Sequence, residues 1–302
     1  MPKITIITPS YNRAHTLLRV FKSLNQQTFK DFKWIIMDDG SMDNTKDLVA
    51  NFKADSWFEI DYYWNKNQHK FITVFEGIKK VKSPYFMIMD SDDSYPNDAL
   101  EILFNEAEKI QNQTEFIGVM GLSQFENGEI VGHKYPGNGF DGSIFDMRYK
   151  YKVRGDKNGI FITKTYQRLL NDFDYSVYQN KGYIPQAVFF NTYDANGIKT
   201  RFVNKVIRTY HLDEQDQFSV SNTRWFGKNT FGLMEGYLSF LNSYHNFLPK
   251  YPKTLIRNLV GYQMYAIVNH YNLAEINNRL TSFKLLSTIF YPISLMYTKV
   301  KK

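Results

Sequence analysis

Apolar positions along the first ~120 residues alternate between two spacings, either consecutive runs or one residue in every three or four. The consecutive runs predict five strands, at Lys3–Thr8, Phe32–Met37, Phe58–Trp64, Tyr85–Met89 and Phe116–Leu122. The spaced stretches predict four helices between the strands. Three are Arg13–Gln26, Lys70–Val81 and Asp98–Gln111, and the other begins at an N-cap at Asp43 or Ser41 and ends at Phe52. Strands that alternate with helices in this way predict an α/β fold around a mostly parallel sheet.

The rest of the chain divides into a loop-rich stretch and a helical stretch. Glycines and prolines between residues 124 and 158 predict hairpins and loops. The later elements are predicted as a strand at Gly159–Thr163, a helix at Pro185–Tyr193, a strand at Ile198–Val206 and helices at Trp225–His245, Thr254–Tyr271 and Ser282–Val300. We therefore expect an α/β domain over residues 1–220, with halves 1–122 and 123–220, and a helical region over 221–302. The change of domain is predicted between Asp216 and Arg224.

Three of the predicted strands end in polar segments, Thr8–Tyr11, Asp38–Ser41 and Asp90–Asp93. Ligands of open α/β sheets bind outside the carboxyl ends of the strands, so we expect these segments to line one site. In the third segment, three carboxylates within four residues repel one another and lose hydration unless a cation compensates them. A Mg²⁺ or Mn²⁺ ion is one interpretation, and a solvated loop in which Asp93 or Ser94 caps a helix near Pro96 is the other.

Composition narrows the classes of protein that fit this pattern. The formal charge of +7 suits anionic partners such as nucleotide phosphates or anionic lipid, and no nucleic-acid-binding motif accompanies it. The chain has no cysteine, which excludes disulfides, thiolate zinc sites and a cysteine nucleophile. The sequence near Lys3 already has a strand pattern and does not resemble a signal peptide. No apolar run reaches the ~18 residues of a spanning helix. The expected location is therefore the cytoplasm.

Three segments carry a resemblance to a known family. They read Thr8-Pro9-Ser10-Tyr11-Asn12-Arg13, then Asp38-Asp39-Gly40-Ser41-Met42-Asp43-Asn44-Thr45, then Asp90-Ser91-Asp92. In this order, and at strand ends, they resemble the family-two glycosyltransferases with the GT-A fold, over roughly residues 2–215. The resemblance implies a bacterial, inverting enzyme with a Rossmann-like nucleotide-binding half. Its expected donor is a nucleoside-diphosphate sugar, its cofactor Mn²⁺ or Mg²⁺, and its acceptor a hydroxyl of a saccharide or lipid-linked saccharide.

The resemblance also implies roles for residues that contact the nucleotide. Pro9 and Tyr11 would shape and stack against the base. Asp39 can accept a hydrogen bond from a ring N–H such as that of uracil N3, which favours a UDP-sugar. Lys70, at the start of a helix, would meet the nucleotide or be an ordinary surface lysine. Asp90 would face the ribose.

Further roles concern the metal and the sugar. Asp92 would bind the metal, and Asp93 would be a second ligand or a helix cap. Arg154 would meet phosphate and Asp156 the sugar hydroxyls, unless the segment is only a glycine turn flanked by surface charges. His211 would close over the metal or diphosphate, or be structural.

The chain departs from the family where inverting members place an acid that acts as general base. Residues 178–186 contain no carboxylate. Asp174 is one candidate base, and Asp156 or Asp213 would be substitutes. The alternative is a non-catalytic nucleotide-sugar-binding or scaffold protein that has lost the base. A nucleotidyltransferase is disfavoured because residues 8–16 lack the glycines of a phosphate-binding loop.

The C-terminal segment 284–302 is apolar and aromatic, contains Pro292 and ends in three lysines within four residues. One interpretation is an interfacial helix on anionic lipid, which would make the protein peripheral at the inner face of the cell membrane. The others are a helix packed on the catalytic domain and the interface of a homodimer. By family analogy, the expected role is the synthesis of a surface polysaccharide or glycolipid.

Overall fold

The computed structural model describes residues 1–212 and 229–300, with only the backbone of residues 299 and 300. Within these ranges the chain forms two compact units, one of residues 1–174 and 197–212, the other of residues 175–196 and 229–300. The predicted domain change between Asp216 and Arg224 lies outside the described residues, as does Asp213 among the candidate bases. The division at residue 220 therefore stays a prediction.

The first unit is built on one mixed sheet. Its strands are β1 (Ile4–Ser10), β2 (Phe32–Asp38), β3 (Glu59–Trp64), β4 (Tyr85–Ile88), β5 (Phe116–Phe125), β6 (Gly139–Gly142), β7 (Asn158–Ile162) and β8 (Lys199–Tyr210). They lie in the order β3-β2-β1-β4-β7-β5-β8-β6. The first four pair in parallel, as do β5 and β8, whereas β7 and β6 are antiparallel to their neighbours. The predicted α/β fold with a mostly parallel sheet is confirmed.

Helices cover both faces of this sheet, as the burial of its central strands requires. They are α1 (Ala14–Asn25), α2 (Thr45–Asp55), α3 (His69–Lys79), α4 (Ala99–Glu108) and α5 (Thr163–Asn171). All seven residues of β1 are buried, which is typical of a parallel strand that is covered on both sides. On one face, the ring of Phe21 in α1 stacks on Phe52 in α2 with centroids 4.3 Å apart. This contact packs α1 against α2 on that face of the sheet.

The strand order contains one feature that local patterns do not reveal. β5 follows β4 in the chain, yet β7 lies between them and runs antiparallel to both. Gly159 permits this close pairing, because a Cβ there would lie 1.9 Å from the carbonyl oxygen of Val119. β8 extends to Tyr210, four residues beyond the predicted end at Val206. This extension carries Arg208 into the sheet.

The second unit is helical, with α6 (Ala187–Ala195), α7 (Thr230–Ser243), α8 (Pro252–Val268), α9 (Leu273–Arg279) and α10 (Lys284–Val300). Residues 175–196 pack with the later helices, since Tyr244 donates a 2.6 Å hydrogen bond to Asp194 of α6. The predicted helix Thr254–Tyr271 ends at Val268, and α9 starts anew with a capping box between Asn272 and Glu275. Among the described helices, none combines the length and the apolar character that crossing a membrane requires.

Candidate active site

The carboxyl ends of three parallel strands bring the polar segments of the sequence side by side. Ser10 at the end of β1 is paired with Asp38 at the end of β2. On the other side of β1, the backbone N–H of Met89 donates to the carbonyl of Ile7 at 2.9 Å. The segments that begin at Ser10, Asp38 and Asp90 therefore leave the sheet at one edge, as the strand-end rule predicts.

The first two segments are joined to each other by hydrogen bonds. The backbone N–H of Asn12 donates to Ser41 Oγ at 2.9 Å, and the N–H of Met42 donates to Asn12 Oδ1 at 2.9 Å. Gly40 makes the intervening turn with φ of 91°, and a Cβ there would lie 2.9 Å from the backbone nitrogen of Asn67. Asp43 accepts from the backbone of Thr45 at the start of α2, and from that of Ala14.

Asp39 is buried at the centre of this joined loop. Its Oδ1 accepts hydrogen bonds from the backbone N–H of Gln68 at 2.8 Å and from Thr73 Oγ1 at 2.7 Å. Burial raises the pKa of its carboxyl above the usual value, although the bonds from Thr73 and Gln68 oppose the shift. Pro9 lies buried in β1, and half-buried Tyr11 follows that strand directly. These are the residues predicted to meet the nucleobase.

Asp90, Asp92 and Asp93 form a carboxylate cluster directly after β4. One ligand oxygen from each lies within 4.8 Å of the others. Asp93 does not cap α4, which begins at Ala99. Its side chain is 1% exposed, and among the described residues no hydrogen bond reaches its buried Oδ1. The cluster thus contains a buried acceptor oxygen that lacks a partner of its own.

Cationic side chains surround this cluster. Lys70 Nζ at the start of α3 lies 2.7 Å from Asp90 Oδ1, which accounts for a lysine at a helix N-terminus. Arg13 Nη1 lies 3.8 Å from Asp92 Oδ2, and Arg19 Nη1 donates to the backbone carbonyl of Asp92 at 2.6 Å. The side chains of α1 and α3 therefore hold the acidic segment from two sides.

Arg208 of β8 is the functional candidate that sequence analysis missed. It is 2% exposed, and its guanidinium donates to Asp93 Oδ2 at 3.0 Å and to Asp156 Oδ2 at 2.8 Å. Arg208 therefore joins Asp156, which precedes β7, to the carboxylate cluster. Arg208 is buried, unlike Lys199 and Lys205 of the same strand, and a buried charge requires a carboxylate partner. The predicted strand ended before this residue.

The charges of the cluster shift the pKa values of its members in different directions. Burial raises the pKa of Asp93 to about 8, a shift that Arg208 opposes and the neighbouring aspartates reinforce. Burial also raises that of Asp90, but the ion pair with Lys70 outweighs it and leaves the pKa below its usual value. The pKa of Lys70 is raised, since attraction to Asp90 exceeds the opposing effect of burial.

The structure places the other predicted residues around this cluster or apart from it. His211 follows β8; its Nε2 is 2.8 Å from Ser94 Oγ, and its Nδ1 lies 2.8 Å from Glu126 Oε1 without hydrogen-bond alignment. In the part of the chain that the structure covers, the group of side chains that could hold a metal ion contains the three aspartates and not His211. Arg154 is exposed, and its backbone N–H donates to His133 Nδ1.

Asp174 follows α5 at the end of the first segment of the sheet unit. The ring of Phe173, the preceding residue, contacts two residues of α3, Phe71 with centroids 6.4 Å apart and Phe75 with centroids 6.2 Å apart. Phe173 therefore packs against α3, the helix whose first turn contains Lys70.

The cluster suits a hard divalent cation on the chemistry of its donors. Carboxylate oxygens are the ligands that Mg²⁺ and Mn²⁺ prefer, and the buried Oδ1 of Asp93 is an acceptor that a cation would satisfy. Lys70 and Arg208 balance part of the negative charge. The residues present thus fit a metal ion.

Comparison with known proteins gives relatives of one kind. A glucosyltransferase of Campylobacter jejuni, named GalNAc(5)-diNAcBac-PP-undecaprenol beta-1,3-glucosyltransferase, is 26% identical over 250 residues, covering 82% of this chain and 75% of that protein. Glycosyltransferase GlyA of Streptococcus pneumoniae is 24% identical over 236 residues, covering 74% of this chain and 32% of GlyA. An uncharacterized glycosyltransferase of Rickettsia conorii is 38% identical over 100 residues, 33% of this chain and 16% of that protein. The chain thus spans a third or less of the last two.

Solved structures share the fold. TarS of S. aureus in complex with UDP-GlcNAc has a TM-score of 0.58 at 15% identity, covering 97% of this chain and 88% of TarS. The mannosyltransferase PcManGT of Pyrobaculum calidifontis, in complex with GDP-Man and Mn²⁺, has a TM-score of 0.55 at 14% identity, covering 99% of this chain and 83% of PcManGT. At the sequence level, the model of glycosyl transferase family 2 matches residues 5–174, more than half of the chain and all three strand-end segments. This chain therefore belongs to glycosyl transferase family 2 and is a glycosyltransferase with a GT-A-type fold.

Proposed function

We propose that this glycosyltransferase is metal-dependent and transfers a sugar from a UDP-sugar to a hydroxyl of a lipid-linked saccharide, with inversion at the anomeric carbon. One observation carries the proposal. The buried carboxylate of Asp39 and the cluster of Asp90, Asp92 and Asp93 lie at one sheet edge, so a single ligand with a base at one end and a diphosphate at the other can engage both.

The nucleoside would be bound by residues of the first two segments. Asp39 accepts the N3–H of uracil, Tyr11 stacks on the ring and Pro9 shapes the pocket. A base without a ring N–H at this position would leave a buried carboxylate unpaired, which favours uracil over cytosine. Asp90 faces the ribose. The UDP-GlcNAc complex of TarS, which shares the fold, supports a donor of this class.

The diphosphate would be bound by both cationic side chains and a metal. Asp92 and Asp93 hold Mn²⁺ or Mg²⁺, which when bound supplies Lewis-acid stabilisation of charge on the leaving diphosphate. Lys70, already within 2.7 Å of Asp90, reaches the phosphates, with Arg154 from the loop before β7. Arg208 holds Asp93 and Asp156 in place, and His211 closes over the diphosphate. The Mn²⁺ in the PcManGT complex supports a metal of this kind.

The acceptor hydroxyl would lose its proton to Asp174. Inversion requires a base on the face of the sugar opposite the leaving diphosphate, and Asp174 follows the contact of Phe173 with α3. Asp156 is the alternative base, but the guanidinium of Arg208 occupies one of its carboxylate oxygens. Asp156 suits the sugar hydroxyls better. The non-catalytic alternative is not favoured, because the chain belongs to a family of glycosyltransferases.

The Campylobacter jejuni relative, whose name describes an undecaprenol-linked substrate, supports the proposed acceptor class. We propose a comparable lipid-linked saccharide, a role in surface polysaccharide synthesis and a peripheral position at the inner face of the cell membrane. Residues 284–302 would make the membrane contact.

The test is calorimetric titration of UDP with and without MnCl₂. We expect Mn²⁺ to tighten UDP binding to the wild-type protein and the Asp92→Asn variant to lose about tenfold or more of that gain, because a neutral amide is a poorer ligand for a hard cation.

Asp98→Asn is the matched control, since Asp98 is exposed six residues further along and its side chain makes no capping hydrogen bond to α4. It should keep the full effect of Mn²⁺. Unchanged Mn²⁺-dependent affinity in Asp92→Asn would refute the proposed metal site.

A further inference from the structure

The C-terminal helix α10 has its polar and apolar faces reversed relative to an ordinary surface helix. Ser287 and Ser294 are fully buried, whereas large apolar side chains of the same helix are exposed. The exposed fractions are Leu285 76%, Ile289 58%, Ile293 42%, Met296 69% and Tyr297 55%. These residues recur every three or four positions and, with exposed Pro292, form one outward face. We call Leu285, Ile289, Pro292, Ile293, Met296 and Tyr297 the outward face.

A buried hydrogen-bond network sets the rotation of this helix. Gln263 of α8 donates to the carbonyl and to Oγ of Ser287 at 2.6 and 2.8 Å, and accepts from Ser294 Oγ at 2.7 Å. Rotating α10 to bury its apolar residues would expose the two serines and leave the amide of Gln263 unpaired, a cost that buried polar groups normally avoid. The exposure of the outward face is therefore built into the packing of the second unit.

The charges near this face select one kind of occupant. Residues 280–302 contain four basic residues, Lys284, Lys299, Lys301 and Lys302, and no acidic one. A second copy of the chain would bring like charges together in either orientation of two paired helices, whereas an anionic lipid surface attracts them. An apolar stripe with lysines in its segment is the pattern of a helix that lies in the interfacial region of a bilayer.

We propose that the outward face of α10 inserts into the surface of an anionic lipid bilayer. The proposed function includes a peripheral position at the membrane. This inference adds which face of α10 makes the contact, which class of lipid it binds and how the Gln263 network keeps that face exposed. The inference rests on the proposed function only through the lipid-linked acceptor. Binding to the lipid surface itself does not require the nucleotide.

The test is sedimentation of the full-length protein with two kinds of vesicle, one of phosphatidylcholine alone and one with about a quarter of it replaced by phosphatidylglycerol. We expect the wild-type protein to partition several-fold more strongly into the anionic vesicles. Ile289→Asp should lower that partition coefficient about tenfold or more, since it places a charge on the inserted face.

Val268→Asp is the matched control, because Val268 is a β-branched residue at the end of α8 in the same unit and is 46% exposed. It should bind anionic vesicles like the wild-type protein. Met296→Asp is a second variant of the outward face, and the thermal melting of all three variants shows whether they fold.

Equal vesicle binding by folded Ile289→Asp, Met296→Asp and wild-type protein would overturn the inference. A wild-type dimer that Ile289→Asp converts to a monomer, without vesicle binding by either, would also overturn it and identify a second copy as the occupant. UDP titration of Ile289→Asp separates this inference from the proposed function. If Ile289→Asp loses vesicle binding and keeps its affinity for UDP, the result supports the lipid-binding face. If the wild-type protein binds vesicles and has no affinity for UDP, the result refutes the proposed donor alone.

Discussion

At the scale of single residues, the site uses side chains whose ordinary ionisation is altered by burial. Asp39 is the clearest case outside the metal cluster. Its carboxylate is removed from water and held by Gln68 and Thr73, and burial raises its pKa. A folded-state pKa above the unfolded value means that Asp39 stabilises the fold below the unfolded pKa, and that this stability is lost as the pH rises through the folded pKa. Ionised Asp39 therefore opposes folding at neutral pH.

Asp39→Asn should separate binding from stability. The amide oxygen can still accept from Gln68 and Thr73, so we expect the melting temperature at pH 7 to stay at or above that of the wild-type protein. Uridine affinity should fall by about tenfold to a hundredfold, because a charge-assisted hydrogen bond to N3–H is lost. Calorimetry with uridine, which carries no titrating phosphate, measures this directly.

The pH dependence of the same titration supplies the control. Wild-type affinity for uridine should fall as the pH is lowered toward the raised pKa of Asp39, whereas the Asn variant should give a flat profile. Parallel profiles for the two proteins would show that Asp39 does not bind the base.

At the scale of elements, the ends of the strands could be predicted from the sequence, whereas the order of the later strands in the sheet could not. Apolar runs that stop at Thr8, Met37 and Met89 were enough to place Asp39 and Asp90 at one edge, because parallel strands share their carboxyl ends. The insertion of β7 between β4 and β5 depends on pairing between distant segments, which local periodicity does not encode. The two ion pairs of Arg208 depend on the same pairing, and nothing local distinguishes Arg208 from the other basic residues of β8.

Strand β8 offers a direct comparison of two arginines. Arg208 and Asp93 form an ion pair that is almost fully buried, whereas Arg201 and Asp141 form a partly exposed pair at the outer edge of the sheet. Arg208→Met should lower the free energy of unfolding by about 3–5 kcal/mol, because it leaves a buried carboxylate without its partner. Arg201→Met should cost at most about 1 kcal/mol.

Urea unfolding followed by tryptophan fluorescence suits this measurement, since Trp34, Trp57 and Trp64 belong to the first unit. Adding Asp93→Asn to Arg208→Met removes the unpaired charge and should recover part of the loss. Equal costs for the two single variants would mean that Arg208 contributes no more than a surface ion pair.

At the scale of the whole molecule, the family match and the first segment of the sheet unit end at the same residue. The match covers residues 5–174, and the chain enters the second unit at Tyr175. Residues 178–186, where the resemblance predicts an acid, belong to that second unit and contain no carboxylate. Asp174 is thus the last acid that the chain offers before it leaves the sheet unit.

Asp174→Asn and Asp156→Asn test which acid removes the proton of the acceptor. Loss of a general base lowers kcat by about 10²–10⁴-fold, so we expect that loss for Asp174→Asn, with unchanged affinity for UDP because the proposed base acts on the acceptor hydroxyl. Asp156→Asn should instead weaken the donor sugar contact and raise KM. Its amide oxygen can still accept the hydrogen bond from Arg208, so we expect Arg208 to keep its position. A kcat loss confined to Asp156→Asn would exchange the two roles, and less than a tenfold loss in both would exclude both residues and direct the search to the second unit.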